Sequence, residues 1–104
     1  MSDAVDILGK DEEGNITAGT TVQSIGPISV SGRYRVTVSG NTVYMRNAMS
    51  QADAETLTGP AGAVKGAEVF GDNSDEIMLN KGSYLAFITS AGTATVRLHY
   101  IRGF

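Results

Sequence analysis

Apolar and polar positions alternate most sharply between Arg33 and Asn47, RYRVTVSGNTVYMRN. Tyr34, Val36 and Val38 alternate with Arg33, Arg35 and Thr37, the period of two that a half-buried strand requires. Gly40-Asn41 follows, and both residues tolerate positive φ, so the dipeptide predicts a two-residue hairpin turn. With that turn Val38 faces Val43, Val36 faces Met45, and Arg35 faces Arg46. The apolar residues of both arms then share one face. The other face carries Arg33, Arg35, Thr37, Tyr44 and Arg46.

Shorter apolar runs fill most of the remaining chain. Residues 20–31, TTVQSIGPISVS, are strand-like but broken at Gly26-Pro27, because proline donates no ladder hydrogen bond. Ala67 to Phe70 predicts a short strand closed by Gly71-Asp72-Asn73-Ser74, and Glu76 to Leu79 another closed by Asn80-Lys81-Gly82. Ser83 to Thr89 and Thr93 to Ile101 predict two longer strands joined at Ala91-Gly92. A two-residue loop there sets Leu85 and Phe87 opposite Leu98 and Val96. A three-residue loop sets Ala86 opposite Val96 and Tyr84 opposite Leu98. Both registers give an apolar face, so periodicity leaves them open.

Residues 47–66 break the pattern. Ser50 is placed to cap a short helix carrying Ala52, Asp53, Ala54 and Leu57, ended by Gly59-Pro60. A connection this long in a small β domain is often a contact surface, a plain link being the alternative. The count is about eight strands with glycine-rich turns. It predicts an all-β chain, a small β-sandwich or jelly-roll-like domain of about eight short antiparallel strands, with a small barrel as the alternative. Residues 1–19 are expected to form a flexible, acidic N-terminal arm and residues 20–104 a single β-sandwich domain.

Composition narrows the function more than the fold. A chain of 104 residues makes one domain and buries roughly 60–70% of its unfolded surface, enough for a core without staples. The chain has no cysteine, which excludes disulfides and thiolate metal sites and fits a reducing compartment. Its net charge is −3, with Asp3, Asp6, Asp11, Glu12 and Glu13 answered locally by Lys10 alone. That balance argues against a nucleic-acid partner. No apolar run approaches the length of a membrane span, so no membrane partner is expected. The first residues lack a secretory pattern, and synthesis in the cytosol is expected.

No residue is assigned a catalytic, cofactor-binding or metal-binding role, and the chain is expected not to be an enzyme. His99 is the single histidine, set in a predicted strand. No serine lies in a G-x-S-x-G elbow, and the 59–66 glycines lack phosphate-loop spacing. Asp11 to Asn15 and Asp72 to Glu76 are acidic but lack the spacing of a calcium loop, and they read as solvated turns. The candidate contact surface is the arginine face: Arg33, Arg35, Tyr44 and Arg46. Its candidate counterpart is Asp11, Glu12 and Glu13 of the same or a neighbouring subunit.

GRYRVTVSGNTVYMRN and GSYLAFITSAGTATVRLHYI, in a cysteine-free β domain behind an acidic arm, resemble the small virion structural proteins of tailed bacteriophages. Capsid decoration (cement) proteins are the nearest group. The resemblance implies a non-enzymatic virion protein that oligomerises, with a trimer favoured, and that binds a major capsid protein or another virion protein and stabilises a phage head. The alternative is a carbohydrate- or protein-binding β-sandwich module of a phage tail or fibre. Its four tyrosines, Tyr34, Tyr44, Tyr84 and Tyr100, would then offer stacking surfaces.

Overall fold

The computed structural model describes residues 15–103. Its strands are β1 (Asn15–Ala18), β2 (Gln23–Ile25), β3 (Gly32–Gly40), β4 (Val43–Ala48), β5 (Ala67–Val69), β6 (Asn73–Leu79), β7 (Tyr84–Thr89) and β8 (Ala94–Arg102). A one-turn helix, α1 (Gln51–Ala54), follows β4. The strands make two four-stranded sheets, β1-β8-β3-β6 (sheet A) and β2-β7-β4-β5 (sheet B). Every neighbouring pair is antiparallel.

The pairs β1:β8, β2:β7, β3:β6 and β4:β5 are successive rungs of one long hairpin whose tip is the β4–β5 connection. Successive rungs fall in alternate sheets, so the hairpin is rolled into a jelly roll. The all-β sandwich of eight short antiparallel strands is therefore as the alternation predicts. It also takes in residues 15–18, because β1 lies inside the stretch assigned to the arm and pairs with β8.

The core lies between the sheets. Tyr34, Val36 and Val38 of β3 join Val96 and Leu98 of β8 and Leu79 of β6 on one side. Val43 and Met45 of β4, Leu85 and Phe87 of β7 and Val69 of β5 meet them from the other. The Tyr34 hydroxyl donates to the Val30 carbonyl at 2.7 Å, and its ring meets Tyr100 edge-on with centroids 5.3 Å apart. The tyrosine is fully buried without leaving its polar tip unpaired.

The Arg33–Asn47 hairpin is corrected by the structure. β3 bonds to β8 and β6, and β4 to β7 and β5, so the two never pair. Val36 lies across from Leu98 and Val38 across from Val96, not from Met45 and Val43. A type I′ turn would need positive φ at both central residues. Gly40 has it, at 103°, but Asn41 does not. Asn41 instead donates through its side chain to the Thr93 carbonyl at 2.8 Å, fixing a corner where the chain passes between sheets. The same correction applies to residues 83–101. β7 and β8 lie in different sheets, and neither predicted register forms. The inward faces are nevertheless as predicted, since Val36, Val38, Val43 and Met45 are all buried.

Val36 is fully buried, so Val36→Asp places an unpaired charge in the core and is expected to cost more than about 3 kcal/mol. Urea unfolding measures this, and an unchanged midpoint would refute the placement. Tyr34→Phe removes one buried hydrogen bond and is expected to cost about 1 kcal/mol. It has a second signature. Burial, and secondarily the neighbouring Tyr100, hold the Tyr34 phenol above its ordinary 10.0. The unfolded chain therefore releases this proton first, so the stability it carries is complete below pH 10.0 and is lost as the pH rises through the folded-state value. The alkaline fall in stability should be shallower in Tyr34→Phe.

Candidate functional site

The two outer faces of the sandwich differ. On sheet B the outward residues of β7 and β4 are largely apolar, and the β4–β5 connection folds back over them. Ala54 and Leu57 of that connection pack on Ala86, with Val22, Ala48, Tyr84 and Ile88 around them. Ser50 caps α1 as its sequence predicts, its hydroxyl accepting from the Asp53 amide at 3.1 Å. Arg46 ties the helix to the sheet. It donates to the Asp53 carboxylate at 3.0 Å and to the Asp53 carbonyl at 3.2 Å. Ser24 of β2 donates to Glu55. Beyond the helix, the Thr58 hydroxyl bonds the carbonyls of Ala61 and Val64, both at 2.7 Å. Residues 50–66 thus form a roof over sheet B.

Among the described residues, no segment covers the outer face of sheet A. β3 contributes Arg33, Arg35 and Thr37, and the rungs align partners on both sides. Thr37 lies across from Arg97 of β8 and Ser74 of β6, Arg35 from His99 and Glu76, and Arg33 from Arg102 and Met78. Arg35, Thr37, Arg97, His99, Glu76 and Met78 are all exposed. Between the Tyr34 and Arg33 rungs β8 carries one extra residue, which brings Arg102 level with Arg33. The bulge is tight: a Cβ on Gly32 would lie 2.6 Å from both the Tyr100 ring and the Arg102 carbonyl. Only glycine fits there.

The face is locally cationic. Glu76 is shared by Arg33 at 3.6 Å and Arg35 at 3.5 Å. Among the described residues, Arg97, His99 and Arg102 make no ion pair. Two shallow depressions mark the surface. One, of about 220 Å³, is lined by Arg35, Thr37, Arg97 and His99. The other, of about 240 Å³, is lined by Arg33, Glu76, Ile77 and Met78.

This geometry divides the predicted contact residues. Arg33 and Arg35 stand together on sheet A. Tyr44 and Arg46 project from the outer side of sheet B, across from Ile88 and Ala86, and do not join them. Arg35 and Arg46 lie in different sheets and do not face each other. Asp11, Glu12 and Glu13 lie outside the described residues. The sequence did not single out Arg97 and Arg102, and it read His99 as an ordinary strand-face residue. Their alternation with Val96, Leu98 and Tyr100 was the available signal. What it lacked was the neighbour of β8. Of the four tyrosines, Tyr34 is fully buried, and Tyr44, Tyr84 and Tyr100 are half-buried.

Neither a family model, nor a curated protein, nor a solved structure matches the chain. Four guanidinium groups, an imidazole and one carboxylate on a solvent-facing sheet can hold anionic groups.

The roof gives a separable prediction. Arg46→Ala removes a half-exposed ion pair and is expected to cost at most about 1 kcal/mol, while speeding amide exchange in residues 50–58 and leaving β3 and β8 unchanged. Leu57 is 3% exposed, so Leu57→Ala should cost about 2–3 kcal/mol. Hydrogen exchange read residue by residue distinguishes the two, and equal acceleration throughout the sandwich would contradict a separate roof.

Proposed function

We propose that the protein is a structural, non-enzymatic component of a bacteriophage particle. In this reading it associates with copies of itself, with a trimer favoured, and docks on a major capsid protein or another virion protein as a decoration protein of the head. The observation that carries the reading is the asymmetry of the outer faces. Sheet B is roofed by the chain's own 50–66 segment, whereas sheet A carries Arg33, Arg35, Arg97 and Arg102 on a face that no other described segment covers. Like charges directly across a strand pair are unfavourable, and Arg33 lies opposite Arg102. Such a surface is made favourable by an acidic partner. The rigid two-sheet scaffold supports this role because it holds the arginines at fixed strand spacings. A jelly roll by itself names no function, since many unrelated activities share the architecture. The resemblance to phage decoration proteins supplies the setting, and attachment to a tail or fibre would use the same face.

The test pairs folding with binding. Arg35→Glu with Arg97→Glu changes two exposed residues and should leave the melting temperature nearly unchanged. It should weaken binding to undecorated phage heads, or self-association measured by light scattering, by about tenfold or more, with the wild-type interaction weakening as salt rises. A strictly monomeric wild-type protein with no affinity for virion proteins would refute the reading.

A further inference from the structure

The positive charge on the sheet A face is carried by arginine alone. The described lysines, Lys65 and Lys81, lie outside all eight strands. Arginine and methionine are enriched where proteins meet proteins, and lysine is depleted there. The face sets Arg33 across from Met78, which is 59% exposed. A long polyanion binds through many phosphate contacts and would also meet a molecule of net charge −3. A carboxylate on a partner needs only the local charge.

The two depressions differ in kind. The first is lined by two guanidinium groups, an imidazole and the Thr37 hydroxyl. Guanidinium groups bind carboxylates through paired, charge-assisted hydrogen bonds. The second has Met78 and the Arg33 stem as walls, with Glu76 at its side, while Ile77, level with the inward Tyr34, packs its side chain against the core. Its carboxylate repels an acidic group there and leaves the apolar walls for an apolar side chain. One depression lies between β3 and β8, and the other lies between β3 and β6 about two residues further along. Strand spacing and rise put their centres roughly 8 Å apart. In an extended chain, side chains at i and i+2 point the same way and stand about 7 Å apart.

We infer that the outer face of sheet A binds an extended acidic segment of a partner protein. An Asp or Glu carboxylate sits in the Arg35–Thr37–Arg97–His99 depression. An apolar side chain two residues away sits against Met78 and the Arg33 stem. The inference rests on the docking-face reading and names the groups recognised. Glu76 fixes the register, because reversing the segment would bring the acidic residue against it.

The test uses the full chain, isotope-labelled, titrated with a short blocked peptide containing Glu-Thr-Leu in an otherwise neutral, extended host. Control peptides carry Gln-Thr-Leu and Glu-Thr-Ser. Amide shifts should concentrate at residues 35–37, 76–78 and 97–99. Either control should bind more weakly, the glutamine peptide by about tenfold, the scale of one charge-assisted pair. Arg97→Gln should weaken the Glu-Thr-Leu peptide to the same degree and leave the glutamine peptide unaffected. The proposal is overturned by an absence of shifts at millimolar peptide, by equal binding of the glutamine peptide, or by tighter binding of a single-stranded oligonucleotide or a sulfated oligosaccharide at the same amides. If the peptide fails while Arg97-dependent association with virion proteins persists, the two-socket recognition falls and the docking face stands. If both fail, the face is only solvated.

Discussion

Neither half of the chain can bury its own apolar face, and the rest of the structure depends on that constraint. Tyr34, Val36 and Val38 from the first half lie beside Val96 and Leu98 from the second in sheet A. Val43 and Met45 lie beside Thr89 and Phe87 in sheet B. Each sheet is therefore assembled from distant segments, and the core closes only when both sheets are present. The hairpin that does this spans the whole described chain. Its corners are held by side-chain bonds such as Asp72 to the Gly40 amide at 3.1 Å and Asn41 to the Thr93 carbonyl. A topology of such non-local pairs forms slowly, because loop closure must precede most of its contacts.

The same rolling decides what the outer faces become. β7, YLAFIT, is apolar on both sides, with Leu85 and Phe87 turned to the main core and Ala86 to the roof. A strand apolar on both faces must be covered on both, and the long hairpin tip supplies the cover. β8 and β3 alternate strictly over most of their length, and their outward arginines, threonines and histidine need no cover. The 50–66 segment is thus explained by what lies beneath it. Arg46 belongs to that arrangement, its guanidinium paired with Asp53.

Local patterns in the chain were legible, and their partners were not. The Ser50 cap, the break at Gly26-Pro27 and the inward faces of β3 and β4 each depend on residues a few positions apart. The pairing of β3 with β8 depends on residues some sixty positions apart, and no periodicity records that. The mistaken hairpin is instructive. Two amphipathic strands joined by a short link turn their apolar residues to a common core whether they pair in one sheet or cross between two. Agreement of faces therefore tests burial, not pairing. The site shared this fate. Arg33 and Arg35 could be placed on an outer face from alternation alone, but the outward residues of β8 acquired meaning only once β8 was known to lie beside β3.

A net-acidic protein that keeps four of its five arginines on one sheet face gains little stability from them. Glu76 is 45% exposed in its pairs with Arg33 and Arg35, and exposed pairs of this kind contribute at most about 1 kcal/mol. Arg33 opposite Arg102 is unfavourable if anything. In water the cost is small, because solvent and salt screen the repulsion. Under a partner both the repulsion and any new attraction grow, since water is excluded and the effective dielectric falls. An uncharged covering surface would leave desolvated cations unpaired and would be rejected. An acidic one would relieve the repulsion and supply the missing counter-charges. The row is therefore better suited to discriminating between covering surfaces than to holding the sandwich together, and Glu76 at its margin makes the discrimination directional.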